Sequence, residues 1–133
     1  MKAIDTNVLV RFLVCDDADM TERARCLFEQ ARDKSEPLLI PTLVLLETLW
    51  VLRSSYAFSR DTIIESVKQL LVLPSVTFES YGLVRAFIHE ATSASTDLAE
   101  IIIGLQAKTA GAETTMTFDS KAAKSDLFTM MPL

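Results

Sequence analysis

The chain has 133 residues, half of them hydrophobic and 23% charged, with a net charge of −5 and a mean hydropathy of +0.28. That length suits one domain, residues 1–133, around one core, and 3 glycines and 4 prolines exclude a disordered or low-complexity chain. An acidic total excludes attraction of a phosphate backbone by the overall field, so any nucleic acid must be met through bound cations or a local basic patch.

The richest apolar stretch, Pro37 to Leu52, holds Glu47 near its middle and is shorter than a membrane span needs. The N-terminus carries one Lys and then Asp5, unlike a signal peptide, so the expected home is the cytoplasm. Cys15 and Cys26 form no C-x-x-C motif, and reduced thiols are expected.

In chain order, Lys2 to Asp5 is the first predicted strand, inside the opening MKAIDTN. Asp5 then stands at a strand's C-terminal tip, the edge where open parallel sheets carry ligands and chemistry. It is equally suited to cap a following helix, as are Thr6 and Asn7. An apolar run, Val8 to Val14, follows and is interrupted by Arg11. Asp19 and Glu22 have capping-box spacing, and Ala24, Leu27, Phe28 and Ala31 predict a helix over Met20 to Asp33. Leu38 to Ile40 is a short buried strand ended by Pro41. Thr42 caps a helix to about Arg53 that is apolar nearly all round and so expected to be buried on most sides, with Trp50, like Phe12, in the core.

Ser54 to Ser59 is a turn, with Ser59 capping a helix over Arg60 to Leu71. Val76 to Glu79 is a strand, and Tyr81 to Ala91 is a helix with His89 on its surface. Ser95 or Thr96 caps a helix from Asp97 to Ala110, stopped by Gly111. Thr114 to Phe118 is β-prone and ends at Asp119. A short helix over Lys121 to Lys124 and an edge strand over Phe128 to Met131 complete the chain. Strands alternating with helices argue for an α/β fold with a parallel sheet covered on both faces.

Carboxylates occupy four informative places. Asp5 and Asp119 end strands and would emerge on one edge of a parallel sheet. Glu47 is the only charge in its apolar helix, where an unpaired carboxylate is costly unless a narrow face reaches solvent. Asp97 and Glu100 lie three apart at a helix start, on one face, where acids also serve as ordinary cap and dipole partners. Carboxylates packed together do not all ionise without a cation between them. With no His or Cys cluster, oxygen ligands favour Mg²⁺, or Mn²⁺, which points to metal-assisted hydrolysis of a phosphodiester.

The segments MKAIDTNVLVRFL, IPTLVLLETLWVL and TDLAEIIIGLQAKTAGAETTMTFDSKAAK resemble the PIN-domain ribonucleases, in particular the toxins of VapBC toxin–antitoxin pairs. The resemblance covers essentially the whole chain. It implies a three-layer α/β/α sandwich with a central parallel sheet, Mg²⁺-dependent endonucleolytic cleavage of RNA, a homodimer, and inhibition by an antitoxin protein whose C-terminal segment enters the groove. It assigns Asp5, Glu47, Glu100 and Asp119 as catalytic acids and Asp5, Glu100, Asp97 and Asp119 as metal ligands. Thr6, Asn7 and Thr117 are supporting residues. The family usually reads D-x-x-D-x-x-I at the third acid. Here Asp97 is followed by Glu100 in the ligand position, one methylene longer, with Asp97 as the alternative ligand.

Arg11 and Lys121, with Arg53 and Lys124, are the basic residues available to guide RNA; a solvated charged surface is the alternative for each. Asn7 stands where a haloacid-dehalogenase-like phosphatase carries a second Asp, and Asp16-Asp17 come too late for a receiver-like phosphoacceptor. From another class, a catalytically weak module that binds RNA or an antitoxin without cutting remains compatible with Glu100.

Overall fold

The computed structural model describes residues Met1–Leu133, which divide into two compact units, Met1–Tyr81 and Gly82–Leu133.

In the first unit, two apolar three-residue strands, β1 (Leu38–Ile40) and β2 (Val76–Phe78), pair in parallel with Leu38 opposite Val76 and Ile40 opposite Phe78. The strand expected over Lys2 to Asp5 contracts to one parallel bridge, Ala3 to Leu39, with the Ile4 amide donating to the Leu39 carbonyl at 3.0 Å. The reason is Asp5. Its backbone is still extended, but its carboxylate Oδ1 accepts from the Thr6 amide at 2.7 Å and turns the chain at once into helix α1 (Thr6–Val14). Helix α2 (Ala18–Asp33) begins earlier than expected. Asp17, not Asp19, caps it by accepting from the Met20 amide at 2.9 Å. Asp19 lies in the first turn, where its charge still suits the helix dipole.

Helix α3 (Thr42–Ser54) starts after Pro41, which has no capping side chain. Thr42 is inside the helix rather than its cap, and its amide donates instead to Glu79 Oε1 at 2.9 Å, from just beyond β2. Ser59 caps helix α4 (Arg60–Leu71) as expected, accepting from the Thr62 amide. Helix α1 packs on α2 and α3, α3 on α4, and α4 on β2. Leu9, Leu45, Leu49, Leu52 and Ile63 are almost wholly enclosed within this packing. Phe12 is half-buried, set edge-on to Phe28 with ring centroids 3.9 Å apart.

The surroundings of α3 differ from expectation. Only the face of Leu45, Thr48, Leu49 and Leu52 is buried. Leu43 is 77% exposed and Trp50 61%, with exposed Glu47 between them at helical spacing. Neighbours α1 and α4 cover one face of this helix and leave the stripe in solvent, so Trp50 is not a core residue.

The second unit takes up helix α5 (Tyr81–Ser93) after its first residue, followed by α6 (Leu98–Thr109). Asp97 itself caps α6, accepting from the Glu100 amide at 3.2 Å, so neither Ser95 nor Thr96 is the cap. Gly111, with φ of 99°, lies just past the helix end and donates its amide to the Lys108 carbonyl. Strands β3 (Thr115–Thr117) and β4 (Phe128–Met130) pair in parallel, separated in sequence by a 3₁₀ turn, Ala122–Lys124. Every strand pair is parallel, as expected, but the hydrogen bonds form two two-stranded sheets, one in each unit, instead of a single ladder.

Candidate active site

The predicted acids fall in both units: Asp5 and Glu47 in the first, Asp97, Glu100 and Asp119 in the second. Three of them are held by capping. Asp5 uses Oδ1 on the Thr6 amide, Asp97 uses Oδ2 on the Glu100 amide, and Asp119 uses Oδ1 on the Lys121 and Ala122 amides at 2.9 and 3.4 Å. Capping fixes each carboxylate's orientation and leaves its second oxygen uncommitted. The cap and ligand readings of these residues are therefore compatible.

In the second unit, sequence order makes a small acidic constellation. Thr117 ends β3, and its hydroxyl accepts from the Asp119 amide at 3.0 Å, fixing the turn that presents Asp119. Glu100 stands half-buried in the first turn of α6. Burial, then the charges of Asp97 and Asp119, push its carboxyl above the ordinary carboxylate range, while Lys121 opposes them. Glu100, Asp97 and Asp119 thus share one field with an excess of negative charge.

In the first unit, Thr6 is buried and its hydroxyl has no hydrogen-bond partner, while Asn7 is exposed. Asn7 and Arg11 line an open groove of about 630 Å³ between α1 and α2, with Val8, Ala24 and Leu27 as its apolar wall. Arg11 is not a free cation: its guanidinium meets Asp16 at 2.7 Å, which raises its own pKa and lowers that of Asp16. Glu47 lies on the solvent-facing stripe of α3, so the desolvation argument made from its apolar neighbours does not hold.

In neither unit do three or more His, Cys, Asp or Glu side chains stand together in a group able to hold a metal ion. A closed cage is not required by Mg²⁺, which keeps several waters and is held through one or two carboxylates together with substrate phosphates. Oxygen-only donors with free second oxygens, one of them with raised proton affinity from its acidic neighbours, fit such an ion.

Glu79 holds the start of α3 in a way that the sequence does not announce. Its carboxylate steadies the start of the helix that carries Glu47, and the only available signal is Pro41, a helix start without a capping side chain of its own.

The PIN domain family profile matches residues 2–126, nearly the whole chain. The chain belongs to the PIN domain family, and its fold is of the α/β class read from the sequence. A similar protein is the VapC ribonuclease of Aquifex aeolicus (strain VF5), 26% identical over 132 residues, which span 99% of this chain and 97% of the relative.

Proposed function

We propose that this chain is a VapC-type endoribonuclease, the toxin of a type II toxin–antitoxin pair, hydrolysing RNA phosphodiesters with Mg²⁺ or Mn²⁺. The observation that carries this is the pair of capped carboxylates, Asp97 at the start of α6 and Asp119 after β3, each with a second oxygen uncommitted, in a chain of the PIN family. The full-length likeness to a protein named VapC ribonuclease supports the toxin assignment. In this reading residues 1–133 work as one domain, and Asp5 and Glu47 are among its catalytic acids.

A divalent cation, which the carboxylates of Asp97, Glu100 and Asp119 would hold, would supply activation of a water and stabilisation of the departing oxygen. The chain's own residues do the rest. Thr117 holds the turn of Asp119, Asp97 aligns the first turn of α6, and Glu100 stands there with its carboxyl pushed above the ordinary range by burial and by the charges of Asp97 and Asp119. An antitoxin segment would enter the groove lined by Asn7 and Arg11, and a cytoplasmic homodimer belongs to the same proposal. No helix is long and apolar enough to cross a membrane.

The test is cleavage of an RNA panel by the purified chain in Mn²⁺ and in EDTA, with products expected only in Mn²⁺. A second reading, a PIN module that binds without cutting, is favoured by the longer acid Glu100 in the family's Asp position. Under the nuclease reading Glu100→Asp keeps or raises cleavage while Glu100→Ala lowers it. Absence of cleavage by both the native chain and Glu100→Asp favours the binding module.

A further inference from the structure

The second unit contains an open cleft of about 450 Å³ between the α5–α6 connection and the 3₁₀ turn. Lys121 and Lys124 line it from one side, Thr92, Ser93 and Ser95 from the other, with Ser125 beside the lysines. No carboxylate is among its lining residues. Neither ammonium has an acid partner within 4.0 Å, unlike Arg11, Arg23, Arg25 and Arg32, which all pair with carboxylates. In a chain of net charge −5, two unpaired cations around one polar cleft make a local basic site.

The hydroxyls differ in what they offer. Thr92 and Ser93 spend their protons on the Ile88 and His89 carbonyls of their own helix. Ser125 Oγ accepts from the Leu127 amide, which leaves its O–H free to donate, and Ser95 is exposed and uncommitted. The cleft therefore presents two ammoniums and two hydroxyl donors, a set suited to phosphate oxygens. Lys121 also ties the cleft to the acids: its amide donates to Asp119 and its charge acts on Glu100.

We infer that this cleft is a backbone-phosphate subsite, in which Lys121 and Lys124, with Ser95 and Ser125, hold a phosphodiester flanking the bond that is cut. The inference rests on the RNA-cleaving reading above and adds to it the place where the strand is gripped. Binding at phosphates carries no base preference, so this grip acts alike on different RNA sequences.

The experiment measures kcat and KM for a single-stranded RNA in Mn²⁺ across a series of KCl concentrations. The variants are Lys121→Ala/Lys124→Ala, Lys121→Arg/Lys124→Arg, and Lys68→Ala/Lys108→Ala, which removes the same charge elsewhere. The alanine pair is expected to lose about tenfold in kcat/KM at low salt through a higher KM. Its log–log salt slope should shrink by about 0.7, the value for the one single-strand phosphate that is no longer neutralised. The arginine pair should keep the native slope, and the Lys68/Lys108 pair should keep the native values and slope. An unchanged slope in the alanine pair, a fall confined to kcat, or an equal loss in the Lys68/Lys108 pair overturns the subsite while leaving the nuclease reading in place. A native chain that cuts nothing overturns both.

Discussion

In the proposed reading, Asp5 serves structure and chemistry at once. Its Oδ1 closes the first turn of α1 on the Thr6 amide. Substitution by Asn, an equally good cap, should therefore change unfolding free energy by no more than about 0.5 kcal/mol, whereas Ala should cost about 1 kcal/mol. Cleavage should be lost in both variants, because neither retains the charge. Native cleavage by Asp5→Asn, measured beside its denaturation curve, would reduce Asp5 to a cap.

Glu100 makes a separate residue-scale prediction about pH. Burial first, then Asp97 and Asp119, raise its folded pKa above the value it has in the unfolded chain. The folded chain then holds the proton more tightly than the unfolded chain. Stability falls as pH rises from the ordinary carboxylate range through the raised value, and the penalty is complete above it. In EDTA, Glu100→Gln should melt higher than the native chain near pH 7, with the gap closing below about pH 4, the ordinary Glu range. A gap independent of pH would contradict this assignment.

The elements are legible in the sequence to the degree that local chemistry fixes them. Ser59 before Arg60 and Gly111 after α6 mark helix boundaries that the structure keeps. The starts of α2 and α6 differ from expectation because several capping residues stand side by side, Asp16, Asp17 and Asp19 in one case and Ser95, Thr96 and Asp97 in the other, and propensity alone does not choose among them. The exposed stripe of α3 is hidden for another reason. A helix rich in Leu and Val looks buried on all sides, and only the packing of its neighbours reveals which face stays wet. Among the candidate acids, type and spacing are readable, and the hydrogen bond from Thr42 to Glu79, 37 residues away, is not.

Gly104 provides the element-scale test. A Cβ there would stand 2.8 Å from Leu127 Cβ and 3.2 Å from Phe128 Cε2, so α6 approaches the start of β4 closely because this position has no side chain. In an open helix Gly→Ala gains about 1 kcal/mol. Here crowding should outweigh that gain, and Gly104→Ala is expected to lose about 1–2 kcal/mol in denaturant unfolding. A stabilised variant would show that Leu127 and Phe128 yield freely.

At the scale of the whole molecule, charge sets the terms of function. A chain of net charge −5 does not draw RNA by its overall field, and Arg11, the basic residue nearest Asp5 on its C-terminal side, is already paired with Asp16. In the proposed reading, cations bound at the acids and the basic cleft of Lys121 and Lys124 are the two local means of overcoming that repulsion. Both lie outside what composition reveals, since composition reports only the net acidic balance.

The acids of the second unit are central to the proposed chemistry, and metal-dependent RNA cleavage tests them most directly. The native chain and Asp119→Asn, in which the Asn oxygen can still cap the 3₁₀ turn, are incubated with end-labelled RNA in Mn²⁺ and in EDTA. Products are expected from the native chain in Mn²⁺ alone, with at least about a hundredfold loss, on the order of 3 kcal/mol of transition-state stabilisation, in Asp119→Asn. Products that persist in EDTA, or undiminished cleavage by Asp119→Asn, would contradict a carboxylate-held metal as the source of activity.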